Sequence, residues 1–173
     1  MSQLRRNLLV TGAFVGLGMS LGLGVSGRAR ASEYQSNWRW CRRCQALFWG
    51  GRGGGLCRMG GPHDGSASAN YIVATSERAP GQPGWRWCHH CHSLYLPVGD
   101  TRGVCVHGGE HGIESSASYR LSAGADAPGQ HPWRWCRVCQ CLFYAGSSAV
   151  APCAGGSVHD PSQSGDYGLL SID

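Results

Sequence analysis

The chain has 173 residues, 28 of them glycine and 10 cysteine, with a formal net charge of +5 and 14% charged residues. Four of its 15 basic residues, Arg5, Arg6, Arg28 and Arg30, lie in the first 30 positions, so the remainder carries 11 arginines against 10 acids. That balance speaks against a nucleic-acid binder, which needs a basic face, and the glycine content, with few long apolar runs after residue 27, speaks against a helical bundle and for an all-β protein.

The first element in chain order is an address. Arg5-Arg6 is followed by apolar residues, then by a Gly-rich, moderately hydrophobic stretch to Gly27, then by Ala29-Arg30-Ala31. This order resembles a twin-arginine signal peptide over residues 1–31, with small residues before cleavage at Ala31/Ser32. The rival reading is a membrane anchor over residues 8–27, a stretch just long enough to span a bilayer. The glycines and the Ala-x-Ala site favour the signal, and with it an extracellular, cell-surface or periplasmic location with no membrane span after cleavage. A route that carries folded proteins allows zinc to occupy thiolates in the reducing cytoplasm before export.

From residue 32 onward the sequence repeats with a period of 47 to 48 residues. Trp38-Arg39-Trp40-Cys41 returns as Trp85-Arg86-Trp87-Cys88 and Trp133-Arg134-Trp135-Cys136, followed by Cys44, Cys91 and Cys139 and by Leu47-Phe48, Leu94-Tyr95 and Leu142-Phe143. Further on stand Cys57, Cys105 and Cys153, then His63, His111 and His159, then Tyr71, Tyr119 and Tyr167. The copies occupy residues 32–84, 85–132 and 133–173, with turn-forming Ala-Pro-Gly-Gln seams at 79–82 and 127–130. Within a copy, Trp-Arg-Trp puts both indoles on one face of a strand. The C-x2-C turn then reverses the chain into the Leu-aromatic strand, and a last strand runs through the tyrosine, for three or four strands per copy.

The spacing C-x2-C-x12-C-x5-H in the first copy, with x13 in the other two, is that of a Cys3His zinc site. The expected ligands of about three ions are Cys41, Cys44, Cys57 and His63; Cys88, Cys91, Cys105 and His111; and Cys136, Cys139, Cys153 and His159, each set within about 4 Å. A disulfide framework is the rival in an exported protein. The three repeat cysteines of a copy cannot all pair within it, disulfides give no reason for a histidine at fixed offset, and iron is a lesser rival. Cys141, the tenth cysteine, takes the small-residue slot of Ala46 and Ser93 and is read as packing.

Residues 38–173 resemble, through these motifs, the tandem W-x-W-C-x2-C-x2-L-[FY] repeats of exported bacterial proteins, and the knuckle alone looks like a zinc ribbon; the resemblance implies no activity. Three copies of this size suit a pseudo-threefold, β-trefoil-like domain with Trp40, Trp87 and Trp135 in a shared core. Three zinc-ribbon-like beads in a row are the alternative. Closure is favoured because an isolated bead leaves its aromatics poorly buried.

A Cys3His site leaves no open metal position, and from residue 32 onward the sequence contains no G-x-S-x-G elbow, phosphate-binding loop or H-E-x-x-H pair, so no enzyme activity is expected. The expected function is a binding or adhesion module for a carbohydrate or a cell-surface partner, with Trp38, Trp85 and Trp133 as candidate ligand-binding residues. Extracytoplasmic metal sequestration or delivery is the alternative, resting on His89, His90, His92 and His107 in the middle copy.

Overall fold

The computed structural model describes residues 33–173; the export signal expected over 1–31 lies outside them. Among the described residues no helix is long and apolar enough to cross a membrane. The protein is all-β. Each copy contributes three strands: β1 (Tyr34–Trp40), β2 (Leu47–Trp49) and β3 (Tyr71–Ala74); β4 (Gln82–Trp87), β5 (Leu94–Tyr95) and β6 (Tyr119–Ala123); β7 (Gln130–Trp135), β8 (Leu142–Tyr144) and β9 (Tyr167–Ser171).

Within a copy the Trp-Arg-Trp strand pairs antiparallel with both others. In the first copy Trp40 faces Leu47 across the knuckle hairpin and Trp38 faces Tyr71, and the same pairs recur as Trp87–Leu94 with Trp85–Tyr119 and as Trp135–Leu142 with Trp133–Tyr167. The copies then close on one another. β3, β6 and β9 each pair with both of the other two, through Ala74–Arg120, Ser122–Gly168 and Tyr71–Ser171. The three Leu-aromatic strands are linked as a second ring, in which Trp49 N, Leu96 N and Tyr144 N donate to the carbonyls of His92, Gln140 and Gln45. The result is a nearly closed, barrel-like nine-stranded sheet with pseudo-threefold symmetry rather than a row of beads.

The core follows the same cycle. Trp38, Trp85 and Trp133 are each 0% exposed. Each meets the tyrosine of another copy edge to face: Trp38 on Tyr119 at 5.2 Å, Trp85 on Tyr167 at 5.1 Å and Trp133 on Tyr71 at 5.3 Å between ring centroids. Such pairs add about 0.5–1.5 kcal/mol beyond the burial of their area. Tyr119 donates through its hydroxyl to Gln35 Oε1 at 2.7 Å, and Tyr167 and Tyr71 donate likewise to Gln82 and Gln130. Burial raises the phenols, Tyr71 and Tyr119 to about 12, so they remain neutral donors.

This corrects the expected division of labour among the tryptophans. Trp38, Trp85 and Trp133, expected as surface ligand-binding residues, are the centre of the core. Trp40, Trp87 and Trp135 share this core as expected, Trp87 and Trp135 buried in it and Trp40 packed against it; Trp40 packs on Tyr144, Trp87 on Trp49, and Trp135 Nε1 donates to Leu96 O at 3.2 Å. The two indoles of a copy share a strand face, but the first lies level with the tyrosine of its own β-ladder and the second with the knuckle hairpin.

Candidate metal centres

Each centre is built from two tight turns. The first is the C-x2-C knuckle joining the first two strands of a copy. Gln45 N, His92 N and Gln140 N bond back to the carbonyls of Cys41, Cys88 and Cys136 at 2.8, 2.8 and 2.7 Å. These three residues have φ of 64°, 62° and 61°, a left-handed conformation uncommon outside glycine. The knuckle thereby aims both of its sulfurs inward.

The second turn is one that sequence reasoning missed. Gly60 N, Gly108 N and Gly156 N bond to the carbonyls of Cys57, Cys105 and Cys153, and the cysteine N–H groups bond forward to Gly61, Gly109 and Ser157. The glycine three places after the third cysteine has φ of 83°, 105° or 102°. Its recurrence in all three copies was the available signal.

The four ligand atoms of each set, Cys41, Cys44, Cys57 and His63, Cys88, Cys91, Cys105 and His111, and Cys136, Cys139, Cys153 and His159, lie within 4.8 Å of one another, and all twelve residues are buried. Sγ–Sγ distances between the first and third cysteines are 3.8, 3.9 and 3.8 Å. Sγ–Nδ1 distances between the second cysteine and the histidine are 3.3, 3.4 and 3.3 Å. A tetrahedral zinc with Zn–S of about 2.3 Å and Zn–N of about 2.0–2.1 Å has edges of about 3.8 and 3.5 Å, so the donor sets fit one zinc each and about three in all. Every quartet closes within its own copy, and His107 does not take the place of His111.

The electrostatics of the bare clusters agree with that fit. The second knuckle cysteine pulls the Cys41 and Cys136 thiols strongly down, Cys105 does the same for Cys88, and the remaining sulfurs assist. Burial opposes protonation of His63 and His111, but the sulfurs outweigh it and lift both to about 9. In these two clusters the sulfurs draw a proton onto the histidine, and a divalent cation supplies positive charge in its place. Backbone N–H groups also point at the sulfurs, from Asp64 to Cys41 and from Asp160 to Cys136 at 3.4 Å.

The histidines carry the coupling between centres. Nε2 of His63 lies 3.1 Å from Cys91 O, that of His111 2.9 Å from Cys139 O, and that of His159 3.3 Å from Cys44 O. A carbonyl only accepts, so Nε2 holds the proton and Nδ1 presents its lone pair to the metal. The acceptor in each case belongs to a ligand residue of another copy. Each ring also stacks on the aromatic of its own copy, His63 on Phe48, His111 on Tyr95 and His159 on Phe143, with centroids 4.5 to 4.7 Å apart. Cys141, buried in its small-residue slot, has Sγ 3.3 Å from His111 Nε2, and Ser93 Oγ is 3.5 Å from His63 Nε2.

Gly55 and Gly103 bring the chain against the adjoining knuckle. A Cβ on either lies 2.4 Å from the carbonyl oxygen of Cys91 or Cys139, the oxygen that also receives the histidine. His92 is turned away from His89 and His90, against the Trp87 ring, and takes no part in a metal group. The middle-copy cluster is therefore His89, His90 and His107 without it. The chain matches no protein family, no curated protein and no solved structure.

Proposed function

We propose that this chain is an exported, non-catalytic binding module whose three zinc centres brace a scaffold for exposed loops, with a carbohydrate as its ligand and a cell-surface protein as the second choice. One observation carries the reading: buried residues repeat from copy to copy, whereas the loops from the second strand to the third cysteine do not. Residues 50–56 read GGRGGGL, residues 97–104 PVGDTRGV and residues 145–152 AGSSAVAP, and most of their positions are exposed. Variable loops on a rigid frame are the usual arrangement of a recognition surface. The half-buried Trp49 and Tyr144 at the roots of the first and third loops take over the role expected of the core tryptophans. Four protein ligands per metal leave no coordination position for a substrate. Export rests on the twin-arginine pattern of residues 1–31.

The test is a glycan array with the zinc-loaded protein, beside a variant in which the first copy's loop replaces residues 97–104. The reading requires binding that the loop variant loses while keeping three zinc ions. Binding unaffected by the exchange, or no binding to glycans or to intact cell surfaces, overturns it. The alternative, metal sequestration or delivery, requires a labile metal pool well beyond three ions in a zinc titration.

A further inference from the structure

The threefold repeat supplies its own control, because each position of the middle copy can be set beside two equivalents. At five positions around one face that copy departs together. His89 replaces Arg42 and Arg137, His90 replaces Arg43 and Val138, and His107 replaces Met59 and Gly155. Gly112 replaces Asp64 and Asp160, and Glu114 replaces Ser66 and Ser162. In the outer copies this face is an ion pair, Arg42 Nε to Asp64 Oδ2 at 2.7 Å and Arg137 Nε to Asp160 Oδ2 at 2.5 Å.

In the middle copy the same face holds three imidazoles in contact. The rings of His89 and His90 are 3.8 Å apart, and those of His90 and His107 are 4.2 Å apart and within 9° of parallel. Glu114 Oε2 lies 2.9 Å from His89 Nδ1. Gly112 makes room for this packing: a Cβ there falls 2.3 Å from His89 Cε1 and 2.9 Å from Glu114 Oε2. A side chain at position 112 therefore requires His89 to move from its place, so the glycine goes with the histidine packing.

We propose that His89, His90 and His107 form a fourth divalent-cation site, open to solvent, for Zn²⁺ or Ni²⁺. Three imidazoles are a borderline donor set suited to these ions. Glu114 Oε2 stands at ion-pair distance from His89 Nδ1 but out of hydrogen-bond geometry, and its negative charge adds to the attraction of a cation. The ring nitrogens of the three histidines do not converge in their present rotamers; His90 is half-buried and His107 exposed, and rotation of these side chains brings them to one ion. The ion keeps water in its other positions and exchanges, unlike the buried centres. The site is independent of the binding-module reading.

The test titrates Ni²⁺ into the three-zinc protein by calorimetry and measures zinc content afterwards. The variant is His90→Val with His107→Gly, the residues that the third copy already carries at these positions. The proposal expects one further equivalent in the unchanged protein, an affinity at least tenfold weaker in the variant, and three zinc ions retained in both. No further equivalent, or one that the double substitution leaves unaltered, overturns it. Paramagnetic broadening by Ni²⁺ of the unchanged protein's imidazole resonances decides the matter if the variant loses zinc: His89, His90 and His107 broaden and His131 does not, and uniform or absent broadening refutes the site.

Discussion

His111 Nε2 donates to the carbonyl oxygen of Cys139 at 2.9 Å, so a ligand of the second metal centre is held by the backbone of a ligand of the third. Because the same bond recurs from His63 to Cys91 and from His159 to Cys44, the three centres form a ring in which each histidine is oriented by another copy. Metal binding and closure of the fold are therefore coupled through these three bonds.

His111→Cys separates the two roles of that histidine. A site of four thiolates still binds zinc, but the bond to Cys139 is gone and a buried carbonyl loses its partner, at a cost of about 1–3 kcal/mol. Urea unfolding of the zinc-loaded variant is expected to show that loss with the metal content still at three. Unchanged stability means that the bond between copies contributes nothing.

Gly103→Ala and Gly99→Ala form a matched pair in one loop. Both positions have left-handed backbone, φ 67° and 62°, so both substitutions carry a conformational penalty of about 1–2 kcal/mol. Only Gly103 faces backbone, with Cys139 O 2.4 Å from the added Cβ and nothing within 4 Å at Gly99. Gly103→Ala is expected to lower stability by about 1–3 kcal/mol more than Gly99→Ala in thermal unfolding. Equal effects exclude a close contact between loop and knuckle.

The tryptophans test the corrected core. Trp85→Ala is expected to cost about 3–5 kcal/mol, since it empties a fully buried site against Tyr167. Trp40→Ala removes a half-buried ring and is expected to cost less than half as much in the same denaturation assay. The reverse order restores the arrangement in which the second indole of each copy is central.

Much of this was legible in the sequence. Cysteine and histidine announce metal chemistry by side-chain type, so Cys41, Cys44, Cys57 and His63 and their equivalents were visible from spacing alone, and the strands followed from Trp-Arg-Trp and the turn residues beside it. What escaped notice depended on groups that carry no residue identity. The acceptors of the histidines are backbone carbonyls, which every residue has, and nothing in Cys91 marks it as the partner of His63. Trp38 and Trp40 are the same residue type on the same strand face, and only closure by Tyr119 from another copy decides which is sealed. The turn at Gly60 was visible as a repeated glycine, but its purpose appeared only with the hydrogen bond to Cys57.

The export proposal has its own test. Arg5→Lys with Arg6→Lys keeps the charge and removes the paired arginines that the twin-arginine route reads. Fractionation of cells is expected to find the double variant retained in the cytoplasm. Normal amounts outside the cytoplasm refute the assignment.

Elemental analysis of protein purified without added metal, followed by circular dichroism during chelation, tests the central claim most directly. A structural zinc in a small domain contributes on the order of 10 kcal/mol to folding, so the account predicts about three zinc ions per chain, resistant to dilution, and loss of the β spectrum as they are removed. A folded protein that contains no metal, with its ten cysteines in disulfides, contradicts it.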